Sequence, residues 1–212
     1  MDIYTAINTR RTIRDFEDRQ LEMDIVEKLL DAGIKAPTND HMRSWEFVIV
    51  NDNNVRLQLL KGIETSVPGT ADDIIKDVET WGMTDKKQKD MYLDAMPKQQ
   101  SMIYNAGCLI LPFFRKDAPL LQPKTLSSLN SFASIWCCIE NILLAAASEG
   151  IFGVTRIPFC NETEHIKKVI GHPDNYVLPC YLALGYPAKG AKVIVQKEIS
   201  AKDRVRLNKW EK

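Results

Sequence analysis

The run from about Leu129 to Ser148 sets the terms for any fold of this chain, because Glu140 and Asn141 are the residues that break its apolar character. A helix apolar on nearly every side must lie in a core or at a subunit interface, and Gly150 is placed to stop it. Other elements then have to surround it. The 212 residues suffice for one domain, 1–212, with a sizeable core. The run is read as a core helix, and no stretch of about eighteen apolar residues is counted as a membrane span.

Periodicity supplies the surrounding layers. Residues 2–9 can form a first helix, and Ile25, Val26, Leu29, Leu30 and Ile34 recur at helical spacing within a second, from Glu22 to Ala36, which Pro37 ends. Trp45 to Val50 reads as a buried strand, Asn51 to Asn54 as a turn and Val55 to Glu64 as a helix. Residues 66–100 are polar, with scattered Met, Trp81 and Tyr92, and read as a mobile helical excursion. Ala106 to Phe114, Phe152 to Thr155 and Val177 to Leu184 are further strands, with a short helix at Glu162 to Ile170. The tail 189–212 alternates Val193 and Val195 with polar residues and then turns basic. Without regular βαβ spacing, the expected fold is α+β, a mixed central sheet flanked by helices.

Charge and cysteine usage narrow the function. With 28 Lys+Arg against 28 Asp+Glu, the chain lacks the electrostatic footprint of a nucleic-acid binder. Neither nucleic acid nor membrane is expected as a partner. The start MDIYTAINTRRT has no secretory pattern, so a cytoplasmic location is expected. Five cysteines without metal-ligand spacing fit a reducing compartment, and adjacent Cys137 and Cys138 read as core packing. His41, His165 and His172 are far apart, and no metal is expected. The dinucleotide, P-loop, zincin and α/β-hydrolase signatures are missing.

The chemistry-bearing stretch is Arg10-Arg11-Thr12-Ile13-Arg14-Asp15-Phe16, with three guanidinium groups and a hydroxyl just past a helix. It is too charged for a core segment. Arginine binds phosphate bidentately and a threonine hydroxyl adds a bond, so this is either a phosphate grip or a solvated charged loop. Ala36-Pro37-Thr38, leading through His41 and Arg43 to Trp45, forms a second polar loop aimed at a strand start.

Taken with E-N-I-L-L-A-A at 140–146 before Gly150 and L-G-Y-P-A at 184–188, the motifs R-R-T-I-R-D-F at 10–16 and A-P-T-N-D-H-M-R-S-W at 36–45 resemble the nitroreductase family of FMN enzymes, in order and along nearly the whole chain. The resemblance implies an intertwined homodimer with FMN at the interface. It implies electron transfer from NADH or NADPH to nitroaromatic, quinone or similar small acceptors by alternating flavin reduction and oxidation. Segment 66–100 then corresponds to the variable region over the flavin. Arg10 and Thr12 match the phosphate grip, Arg11 its more variable neighbour, and Arg14 the basic residue near the flavin pyrimidine ring, where a cation would stabilise the reduced cofactor. Pro37 and Thr38 match the family's Pro-Ser at the flavin edge. His41 stands where the family usually has Asn and either meets a flavin carbonyl or faces solvent; Arg43 meets flavin or substrate. Thr155, Arg156 and Ile157 match the loop that offers a backbone N–H to the flavin, since Pro158 has none. Lys202 and Arg204 resemble the pair completing the phosphate site, with Arg206 as competitor and a solvated basic tail as the alternative. No side chain is needed as catalytic acid or base, because the chemistry belongs to the cofactor. Same-family alternatives are reductive dehalogenation, flavin destruction, or flavin binding without efficient turnover.

Overall fold

The computed structural model describes residues 1–38, 41–159 and 161–210; Asn39, Asp40 and Cys160, which figure in the sequence reading, lie outside the described residues, as do Glu211 and Lys212. The elements run α1 (Ile3–Thr9), α2 (Met23–Ile34), β1 (Trp45–Ile49), α3 (Asn53–Ser66), α4 (Ala71–Thr80), α5 (Lys86–Ala95), α6 (Ser101–Tyr104), β2 (Cys108–Arg115), α7 (Asn130–Ser148), β3 (Phe152–Arg156), α8 (Glu162–Ile170), β4 (Tyr176–Val177) and β5 (Tyr181–Gly185). Side chains set several boundaries. The Asp2 carboxylate accepts the N–H groups of Tyr4 and Thr5 at 3.0 and 3.1 Å to start α1, and Thr70 and Asp73 cap α4 reciprocally. Gly150, at φ +72°, lets the chain leave α7.

The sheet order is β1-β2-β5-β3, with β4 also on β2. The α+β class holds, but the strand pairs are all antiparallel where a mixed sheet was expected. Helices α3 to α6 return the chain to the end of the sheet it left, where the Val50 N–H bonds Leu109 O at 2.9 Å. Strand β2 therefore runs back against β1. The parallel element is an isolated bridge between Thr12 and Gly153.

The expected strand 177–184 is two strands, interrupted at Leu178, Pro179 and Cys180. Arg115 N–H reaches Ser44 O and Val50 N–H reaches Leu109 O, so odd-numbered β2 residues exchange bonds with β1. Pro112 accordingly turns its missing donor toward the other neighbour, at the interruption.

Helices cover both faces. On one, Leu109, Leu111 and Phe113 pack with Leu59 and Ile63 of α3 and Ile166 of α8. On the other, Ile110 and Phe114 pack with Val26 and Leu29 of α2 and Ile135, Ile139 and Ile142 of α7. Helix α7 is not buried all round within one chain: Ala133, Cys137 and Glu140 are exposed, because α2 and the sheet cover only one side of it. Core packing therefore describes Cys138 but not Cys137. The stretch Leu126–Ser148 is, contrary to the sequence reading, long and apolar enough to cross a membrane by length and composition. In this fold it packs on α1, α2, β2 and β3.

Candidate functional site

Leaving α1, the chain turns along the outer edge of β3. Ile13 N–H donates to Gly153 O at 3.3 Å, and Phe16 bridges Pro187. Ile13 and Phe16 are buried, so a segment read as too charged for a core is anchored by its two apolar residues. Arg11, Thr12 and Arg14 line a cleft of about 480 Å³, closed by Asp85, Lys87, Gln88 and Met91 and by tail residues 194–197. The tail is tied there by Lys87 Nζ to Gln196 O at 3.3 Å and Lys197 Nζ to Asp85 at 3.2 Å.

Arg14 is about nine-tenths buried. Its Nη1 meets Asp94 Oδ2 at 3.1 Å, and Lys98 joins Asp94 and Asp15, each at 2.7 Å. Burial pulls the Arg14 pKa down, and Asp94 and Asp15 oppose the shift. Against the pull of burial, the bonds to Asp15 and Asp94 raise Lys98. Arg14 Nε is buried and has no partner among the described residues.

Arg10 differs from expectation. Its Nε pairs with Glu140 Oε1 of α7 at 3.2 Å, drawn by that carboxylate, and it does not line the cleft with Arg11 and Thr12. Arg11, read as the variable neighbour, does.

Pro37, Thr38 and His41 stand elsewhere. Thr38 lines a second cleft, of about 270 Å³, together with Met42, Arg43, Trp45, Phe114, Arg115 and the start of α7. Arg43 N–H reaches Thr38 Oγ1 at 3.4 Å. His41 and Arg43 sit at φ +52° and +42°, a backbone region that side chains rarely adopt. His41 and Pro37 are exposed.

At the end of β3, Thr155 lies opposite Leu182. The Arg156 side chain is engaged within the chain, which leaves the backbone of its loop for the contact that the family resemblance implies. It is buried in a two-pronged pair with Glu162, Nη1–Oε2 at 2.5 Å and Nη2–Oε1 at 2.7 Å, while its Nε donates to Gln99 Oε1 at 2.7 Å. A guanidinium taken out of water needs a counter-charge, and Glu162, fully buried at the start of α8, provides it. Ser66 Oγ donates to the same carboxylate. The pair closes the loop that carries Ile157 and Phe159 into solvent.

Lys202 and Arg204 are also not brought to the Arg11–Thr12 cleft within this chain. Lys202 lies in a short turn capped by Ser200, and Arg204 lines a surface hollow with Arg206, Asn208, Lys209 and Trp210. The stretch 194–197 reaches the cleft instead. Sequence reasoning missed Asp94, Lys98, Gln99 and Glu162. The four-residue spacing of Asp94 and Lys98, and the six-residue spacing of Arg156 and Glu162, were the available signals. Among the described residues, no group of three or more His, Cys, Asp or Glu is placed to hold a metal.

The chain is 26% identical to "Putative NADH dehydrogenase/NAD(P)H nitroreductase" of Methanothermobacter thermautotrophicus, over 99% of this chain and 88% of that protein. It is 24% identical to the iodotyrosine deiodinase of Nematostella vectensis, over 91% of this chain and 69% of that protein. Its fold is similar to a crystal structure of oxidised iodotyrosine deiodinase bound to FMN and 3-iodo-L-tyrosine, with a TM-score of 0.74 at 21% identity, covering 99% of this chain and 100% of the other. The profile of the nitroreductase family matches residues 7–186, and the chain belongs to that family.

Proposed function

We propose that this protein is an FMN-dependent oxidoreductase that passes electrons from NADH or NADPH to a nitroaromatic, quinone or similar small acceptor, as an intertwined homodimer. The observation that carries the reading is the cleft in which Arg11, Thr12 and the buried Arg14 converge, with Arg14 Nε left without an acceptor. This donor set fits a phosphate monoester or an electron-rich heterocycle edge: two guanidinium groups, a hydroxyl and, at the rim, Lys87 and Lys197. FMN, when bound, supplies the two-electron redox chemistry.

The chain's own residues bind and orient. Arg11 and Thr12 hold the phosphate end, and Arg14 offers a fixed cation. The exposed loop at Ile157 presents backbone N–H groups, stiffened from behind by the Arg156–Glu162 pair. Helices α4 and α5, joined by an edge-on contact of Trp81 and Tyr92 at 5.4 Å, stand over this side and limit the acceptor. Thr38, Pro37, His41 and Arg43 do not share the Arg11 cleft within one chain, so in this reading they serve a site formed with a second copy. The uncovered face of α7 and the exposed Val195, Leu207 and Trp210 of the tail are suited to bury surface in such a dimer.

A second reading, reductive dehalogenation, is favoured by the relatives named as iodotyrosine deiodinases. The visible spectrum of the purified protein, with identification of the released chromophore, tests the cofactor. NADH and NADPH oxidation with a quinone, a nitroaromatic and a panel of halogenated phenols then separates the two activities. A colourless protein that takes up no added FMN would overturn both.

A further inference from the structure

We infer that Asp94, on the helix pair covering the site, is a positioning residue that sets how much positive charge Arg14 presents to the flavin, and thereby tunes the flavin's reduction potential. The inference rests on the FMN reading above.

Asp94 occupies the last turn of α5 and is almost wholly buried, with a side chain 3% exposed. An apolar residue would pack there at less cost, so a carboxylate in that place has to be balanced by its partners. Asp94 has two, Arg14 at 3.1 Å and Lys98 at 2.7 Å, and Lys98 continues to Asp15 at 2.7 Å. Two cations and two anions therefore form one alternating chain, Arg14–Asp94–Lys98–Asp15.

Arg14 is held by one end only. Asp94 takes Nη1, whereas Nε is buried, has no partner among the described residues, and belongs to a side chain lining the cleft with Arg11 and Thr12. Asp94 thus acts in two opposing ways. It fixes the guanidinium beside the cleft, and it cancels part of its charge. Electrons arriving on a bound flavin add negative charge, which a nearby cation stabilises and a nearby carboxylate opposes. In a buried setting such charges are poorly screened, so the balance within the quartet reaches the cofactor.

The test is the midpoint potential of the FMN-loaded protein, read spectroscopically against reference dyes, for the wild type, Asp94→Asn and Lys98→Gln. Asp94→Asn removes a negative charge and should shift the potential to more positive values. Lys98→Gln leaves Asp94 and Asp15 less compensated and should shift it to more negative values. Opposite shifts support the inference. Two unchanged potentials, or two shifts of the same sign as general loosening would give, overturn it. Should Asp94→Asn not fold, Lys98→Gln decides alone, since its side chain is partly exposed: a negative shift supports the inference and no shift overturns it. A wild-type protein that holds no FMN would refute the cofactor reading itself, whereas FMN bound with unmoved potentials refutes only the role of Asp94.

Discussion

Replacing Glu162 by Gln leaves the shape of the Arg156 site intact and removes its counter-charge. The side chains are 2% and 0% exposed, and two short contacts join them, at 2.5 and 2.7 Å. Breaking one partner out of a buried pair costs about 3–5 kcal/mol. Gln retains an acceptor oxygen, and Gln99 still binds Arg156 Nε, which puts Glu162→Gln at the lower end, about 3 kcal/mol. For a chain of this size that corresponds to a fall in Tm of roughly 6–12 °C. Urea unfolding followed by tryptophan fluorescence would measure it. The double variant Arg156→Met/Glu162→Leu, which removes both charges, should recover most of the loss and lie within about 1.5 kcal/mol of wild type. A single-variant loss below about 1 kcal/mol at unchanged m value, or a double variant as unstable as the single one, would refute the claim that an uncompensated buried guanidinium is the cost.

Four further outcomes are expected. Arg11→Ala, which takes a guanidinium from the cleft, should weaken FMN retention by about 1.5–3 kcal/mol, the worth of a charge-assisted hydrogen bond, and unchanged affinity by fluorescence titration would remove Arg11 from the grip; Arg10→Ala should barely change stability, because its Glu140 partner is about half exposed. Gly153→Ala would put a Cβ 2.5 Å from Leu184 Cδ2 and 2.7 Å from the Ala183 carbonyl oxygen, and should destabilise by about 1–3 kcal/mol in urea titration. Burial pushes the Cys108, Cys138 and Cys180 thiols from 9.0 up to about 12, so above pH 9 the unfolded chain releases protons that the native state keeps. Native stability should then fall between pH 9 and 12, by about 1.4 kcal/mol per pH unit for each thiol, and Cys180→Ala should flatten the slope measured by urea titration at each pH.

Local periodicity made most elements legible. Val26 and Leu29 in α2 and Ile135, Ile139 and Ile142 in α7 are buried as their spacing announced, whereas the strand beginning at Trp45 forms as read but buries only Trp45 fully. The family resemblance, in turn, rested on short motifs that the profile match at residues 7–186 supports. What escaped was decided by partners distant in the chain. Nothing near Arg10 announces Glu140, and nothing near Arg14 announces Asp94, eighty residues away. The split of the last strand leaves out Pro179 and lies between the β4 and β5 pairings on β2, where Pro112 stands; each proline looks harmless in its own window. Arg156 was matched to a loop by its position in a motif, and that motif says nothing of the side chain, whose burial is set by Glu162 and Gln99. Charge in a sequence says that a side chain needs company, and only the fold says whose.

The contact of Thr12 and Ile13 with Gly153 has a bearing on aggregation. Strand β3 is the last in the sheet order, and the charged turn lies along its open flank. An unguarded flank of this kind is a template for adding strands from other molecules, and arginines are poor companions for such growth. Damage to the turn would therefore be felt twice, as lost ligand affinity and as a sticky sheet border. Variants of residues 11–13 should lose solubility along with function, and a screen that scores activity alone would mistake the one defect for the other.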